Sequence, residues 1–93
     1  GEYLTPTQML ESALGVCLNV TARFILDRRN VSYKNITTKI DVEEIVGEKT
    51  IFKYNIDIEA DISDEDKAKY TKMILNGCHV HKLLEQKVEF APL

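Results

Sequence analysis

The stretch from Pro6 to about Arg29 constrains this chain most, because it reads as one uninterrupted helix that is apolar around most of its circumference. Thr5 stands at the N-cap, and Pro6 opens the first turn, where a missing N–H costs nothing. Gln8, Glu11, Ser12, Gly15, Asn19, Arg23 and Asp27 recur at spacings of three and four, which gathers them into one narrow polar stripe. The rest of the ring is apolar or small: Met9, Leu10, Ala13, Leu14, Val16, Cys17, Leu18, Val20, Ala22, Phe24, Ile25 and Leu26. A helix of this kind is covered on more than one side. A chain of 93 residues makes one domain with a modest core and has little material left to cover it twice. A partner subunit or further sequence is therefore expected.

After this helix the period changes from four to two. Ile36, Thr38, Ile40 and Val42 alternate with Lys39, Asp41 and Glu43, and Phe52, Tyr54, Ile56, Ile58 and Ala60 alternate with Lys53, Asn55, Asp57 and Glu59. The turn "VGEKT" joins them, predicting an antiparallel hairpin whose apolar face lies on the long helix. The stretch "DISDEDKAKYTKMILNG" then predicts a second helix with Ser63 as N-cap, acidic residues in its first turn, and Ala68, Thr71, Ile74 and Leu75 on its buried face. Gly77 ends it where a left-handed residue is wanted. "CHVHKLLE" predicts a short helix with Cys78 in its first turn, and "QKVEFAPL" an edge strand with Val88 and Phe90 facing in. The expected fold is one α+β domain over residues 1–93.

Twelve basic and fifteen acidic side chains give a net charge of −3, and the basic residues are scattered, which argues against a nucleic-acid groove. No run approaches the roughly eighteen apolar residues of a bilayer crossing, and no charged-then-apolar leader opens the sequence. A cytoplasmic setting without membrane contact is expected, where two cysteines are reduced or catalytic rather than a structural staple.

Cys17 lies mid-helix among apolar neighbours, as a small buried hydrophobe would. Cys78 sits at a helix N-terminus, where unpaired N–H groups and the dipole favour a thiolate, although a filler cysteine fits there as well. Cys78, His79, His81 and Cys17 would supply four nitrogen and sulfur ligands for a metal. His79 and His81, however, point about 200° apart on a helix, and there is no C-x-x-C pair, so no metal site is expected.

"TPTQML…ALGVC" followed by a hairpin and then "GCHVHKLL" resembles the OsmC/Ohr family of thiol-dependent peroxidases. The marks are a Pro opening the long helix, an apolar run leading to a mid-helix Cys, and a second Cys just after the post-hairpin helix. The likeness runs along nearly the whole chain and corresponds to the C-terminal two-thirds of a usual member, so the chain reads as a short member lacking the N-terminal segment. The resemblance implies an intertwined homodimer with the long helices packed together at its centre and active sites at the interface. It implies Cys17 as the thiol that attacks an organic hydroperoxide, Cys78 as the resolving thiol, a dithiol or lipoylated protein as reductant, and no cofactor. Dipole reasoning alone makes Cys78 the more reactive thiol, whereas the resemblance assigns first attack to Cys17.

Two departures stand out. Thr7 occupies the position where the hydroperoxide-resistance branch carries a Glu that orients an activating Arg, and that Arg comes from the N-terminal region. Without a neighbouring cation a buried Cys17 is expected to have a raised pKa. Arg23, six residues on, lies on nearly the opposite side of the helix. The alternative function is a catalytically weak or inactive OsmC-like dimer that binds a small apolar ligand.

Overall fold

A computed structural model describes residues 4–93. Helix α1 (Pro6–Arg28) is followed by strands β1 (Asn35–Ile45) and β2 (Lys49–Glu59), then by helices α2 (Asp64–Gly77) and α3 (His79–Glu85). The architecture is α+β: a two-stranded antiparallel sheet with three helices.

Both ends of α1 are capped by its own sequence. Thr5 Oγ1 accepts from the Gln8 N–H at 3.1 Å, and Gln8 Oε1 accepts from the Thr5 N–H at 2.9 Å, a reciprocal capping box that satisfies two otherwise orphaned donors. At the other end Asn30 adopts a left-handed φ of 57°. The Val31 N–H then donates to Leu26 O at 2.9 Å and the Asn30 N–H to Asp27 O at 3.1 Å. This is a Schellman closure, with Asn in the role glycine usually takes.

The hairpin pairs Ile36 with Ile58, Thr38 with Ile56, Ile40 with Tyr54 and Val42 with Phe52, so both apolar sets share one face. Gly47 supplies the φ of +77° that the turn requires. The core follows the four-residue beat of α1: Leu14, Leu18, Ala22 and Leu26 are buried, joined by Ile36, Ile58, Tyr70, Ile74 and Cys78.

The polar stripe of α1 finds a partner in the hairpin, and two expectations on α2 are corrected. The middle of the polar stripe of α1 lies against β1: Asn19 Nδ2 donates to Ile36 O at 2.9 Å, Thr38 Oγ1 donates to Gly15 O at 2.8 Å, and a Cβ on Gly15 would stand 3.5 Å from Ile40 Cγ1. On α2 the buried positions are Tyr70 and Ile74, while Ala68 is exposed, because the helix turns its larger side chain to the core. Gly77 has no left-handed φ; it is the last residue of α2, and a Cβ there would meet Thr21 Cγ2 at 3.2 Å and Ile25 Cδ1 at 3.6 Å. Its missing side chain lets the end of α2 approach α1.

The predicted C-terminal edge strand is not formed. Residues 86–93 carry no regular structure, and Val88 and Phe90 are exposed. A strand exists only by pairing, and the two-stranded sheet does not extend to this segment.

One side of α1 exposes a row of apolar side chains. Met9, Val16, Val20 and Phe24 lie along one side at 56%, 63%, 61% and 60% exposure. By length and composition α1 could also cross a bilayer, contrary to the sequence expectation. Its opposite side, however, is committed to a protein core through Leu14, Leu18, Ala22 and Leu26.

Candidate redox site

Cys17 and Cys78 meet where α1 passes the corner between α2 and α3. Cys17 sits mid-α1, half-buried, one turn before Thr21. Cys78 is fully buried and belongs to two helices at once, as C-cap of α2 and N-cap of α3. Its N–H donates to Ile74 O at 3.0 Å, and its carbonyl accepts from the Lys82 N–H at 3.1 Å.

That corner sets the electrostatics. The amides of His79, Val80 and His81 precede the first i−4 bond of α3, and no side chain caps them. They turn instead toward the two sulfurs. Burial pushes the Cys17 thiol up, but this is outweighed by hydrogen bonds from the Cys78 thiol, the Val80 N–H, the Thr21 hydroxyl and the His79 N–H, so Cys17 falls below the ordinary thiol value. Burial pushes Cys78 up, as does its role as donor to the Cys17 sulfur, and the His81 and Val80 amides offset this only in part. The pair is therefore polarised, with Cys17 the stronger acid and Cys78 its proton-bearing partner.

Both sequence expectations about acidity are thereby reversed. Dipole reasoning favoured Cys78 as the thiolate, yet the free amides of α3 serve the sulfur on the neighbouring helix as well as their own N-cap. Cys17 was expected to be raised for want of a cation, yet neutral donors alone bring it down. Arg23 takes no part: its Nε donates to Asn19 Oδ1 at 2.8 Å, and its guanidinium lies over the Tyr33 ring. Arg28 stacks on Phe24. Thr7 donates to Glu44 Oε1 at 3.4 Å, which brings a carboxylate from β1 beside the start of α1.

The histidines stand apart from this chemistry. His79 is exposed, and His81 Nδ1 lies 3.9 Å from Glu85 without a hydrogen bond. Among the described residues no group of three or more His, Cys, Asp or Glu side chains is gathered to hold a metal.

On its outer side Cys17 opens into a shallow groove of about 580 Å³, lined by Leu4, Met9, Ser12, Ala13, Val16, Val20 and Thr21 along with the cysteine itself. Cys17 is thus reachable from the groove, while Cys78 waits behind it in the core. Sequence reasoning missed Thr21 and the amides of His79 and Val80. The i+4 spacing of Thr21 from Cys17 was the signal for the first, since residues four apart share a helix face.

The fold is one already seen. An OsmC-like protein from Mycoplasma pneumoniae superimposes with a TM-score of 0.76 at 14% identity, over 91% of this chain and 64% of that one. An OsmC-like hydroperoxide resistance protein from Jannaschia sp. CCS1 gives 0.76 at 15% identity, over 97% and 65%. An organic hydroperoxide resistance protein OsmC from Legionella pneumophila gives 0.70 at 15% identity, over 91% and 64%. The chain thus spans slightly less than two-thirds of the length of these structures. A search of curated proteins finds no match. The family model for OsmC-like protein, however, matches residues 1–92. With nearly its whole length accounted for, the chain belongs to the OsmC-like protein family.

Proposed function

We propose that this chain is an OsmC-like redox protein that reduces organic hydroperoxides with Cys17 and Cys78. The observation that carries the reading is the placement of the two thiols: Cys17 opens on a groove from mid-α1, and the buried Cys78 lies behind it at the α2–α3 corner, with Cys17 lowered and Cys78 raised. The Cys17 thiolate attacks the distal oxygen of ROOH, the O–O bond breaks, and RO⁻ leaves as ROH after taking a proton. Cys17 becomes a sulfenic acid. The Cys78 sulfur displaces its hydroxyl as water, forming the disulfide, and an external dithiol returns both thiols to the reduced state while being oxidised to its own disulfide. The disulfide brings the two sulfurs to the roughly 2 Å of an S–S bond. The apolar lining of the groove suits an alkyl or aryl substituent on the peroxide.

A second copy of the chain is the proposed cover for the exposed side of α1. Met9, Val16 and Val20 line the same groove as Cys17, so pairing of two α1 helices would enclose the reacting sulfur. The dithiol reductant and the cytoplasmic setting belong to the same reading. The inactive apolar-ligand alternative, motivated by the departures at Thr7 and at the activating Arg, predicts a Cys17 thiol at or above its ordinary value, and the lowered thiol speaks against it.

Stopped-flow oxidation with cumene hydroperoxide, followed by reduction with a dithiol, tests the proposal. Wild type loses two thiols and gains one disulfide. Cys17→Ser shows no peroxide-dependent change, and Cys78→Ser forms a dimedone-trappable sulfenic acid that does not proceed to an intramolecular disulfide. No thiol loss in the wild type, or an unchanged rate in Cys17→Ser, ends the reading.

A further inference from the structure

Thr21 stands one helical turn after Cys17, lines the same groove, and is half-buried. A helical threonine ordinarily divides between two rotamers, one of which returns its hydroxyl to the carbonyl four residues back. Thr71 on α2 does this, donating to Lys67 O at 2.8 Å. Thr21 differs because its methyl is engaged: Cγ2 faces the bare backbone of Gly77, so close that a Cβ at that position would stand 3.2 Å away. The close approach of α2 packs one branch of Thr21, and the i+4 spacing leaves the other on the helix face and groove that Cys17 shares.

We propose that Thr21 is the side-chain hydroxyl donor to the reacting sulfur of Cys17, and that Gly77 is the positioning residue that holds its rotamer. In this chain a neutral hydroxyl, set by a helix–helix contact, does part of the work a cation would otherwise do. A donor without charge favours the thiolate through one directed bond. Its effect therefore depends on rotamer more than distance, and a glycine on a different helix becomes part of the device. This inference rests on the reading of Cys17 as the reacting thiol.

Peptide-resolved alkylation by iodoacetamide against pH separates the two claims, because it reads the Cys17 thiolate whether or not any hydroperoxide is turned over. Thr21→Val keeps the shape and removes the donor. Its Cys17 midpoint is expected to rise by about half to one pH unit, making alkylation near pH 7 roughly three- to tenfold slower. Thr21→Ser keeps the hydroxyl but loses the methyl held against Gly77, so its midpoint falls between wild type and Thr21→Val. Gly77→Ala displaces Thr21 from the other side and raises the midpoint with Thr21 itself intact. Far-UV circular dichroism and urea midpoints establish that each variant is folded. An unchanged midpoint in Thr21→Val, or equal shifts in Thr21→Val and Thr21→Ser, overturns the hydroxyl role. A shift in Thr21→Val with none in Gly77→Ala overturns the positioning role of the glycine. Should the midpoints shift as expected while no hydroperoxide is reduced, this inference stands and the peroxidase reading falls.

Discussion

Val20→Asp tests whether the bare side of α1 is an interface. Met9, Val16, Val20 and Phe24 are each about three-fifths exposed in the single chain. Fully burying such a side chain is worth about 1.5–3 kcal/mol, so covering what remains exposed yields roughly 1–2 kcal/mol apiece. Four side chains on each of two subunits then supply on the order of 7–15 kcal/mol, comparable to the cost of immobilising two bodies, about 4–15 kcal/mol. Such a dimer has little margin. Val20→Asp removes about 1 kcal/mol per subunit and also asks a carboxylate to leave water. A loss of at least about 2 kcal/mol per dimer weakens the dissociation constant by roughly thirtyfold or more. Within one chain Val20 is already 61% exposed, so the fold should change by no more than about 0.5 kcal/mol. Sedimentation equilibrium over a concentration series reads association, and circular dichroism reads the fold. A wild type that sediments as a single chain at high micromolar concentration, or a Val20→Asp protein that assembles like wild type, refutes the reasoning.

Three other outcomes are expected. Leu18→Ala empties a fully buried site between α1 and the hairpin and should cost about 3–5 kcal/mol in urea denaturation, a large share of the stability of a domain this size. Gly47→Val meets no atoms within 4 Å but must adopt a φ of +77°, so the backbone alone should cost about 1–2 kcal/mol in the same assay. Alkylation against pH should separate the two thiols. Cys17, lowered in the fold, is more ionised than a free cysteine at neutral pH and reaches its plateau rate at lower pH. Cys78, raised and fully buried, should be alkylated more slowly than Cys17 throughout; the reverse order would contradict the polarisation of the pair.

The elements legible in the sequence were those whose signals are local. The Thr5–Pro6 start, the four-residue beat of α1, the two-residue alternation of the hairpin and the Ser63 cap each need only a few neighbouring residues, and each is present. What escaped depends on which helix stands beside which. Asn19 and Gly15 are polar or small by composition, yet the crossing of β1 gives the one a carbonyl to bind and the other an isoleucine to receive. Gly77 was noticed as a helix ender, whereas its use is the approach of α2 to α1. Val88 and Phe90 alternate as a strand should, but alternation does not create a pairing edge. The meeting of Cys17 and Cys78 followed from family likeness, since nothing local to either stretch fixes the distance between them. The order of their acidities lay beyond local reasoning for the same reason: the amides that settle it belong to one helix and act on a sulfur of another.

Cys78 closes one helix with its N–H and opens the next with its carbonyl. Pulling its Cα toward Cys17 would fray both helices together, so the main chain there is pinned from two directions. The freedom that remains is rotation about a single Cα–Cβ bond. Under the proposed redox role, closing the crosslink would be a swing of sulfurs on fixed posts, and opening it would swing them back. The scaffold would then not have to be rebuilt between turnovers.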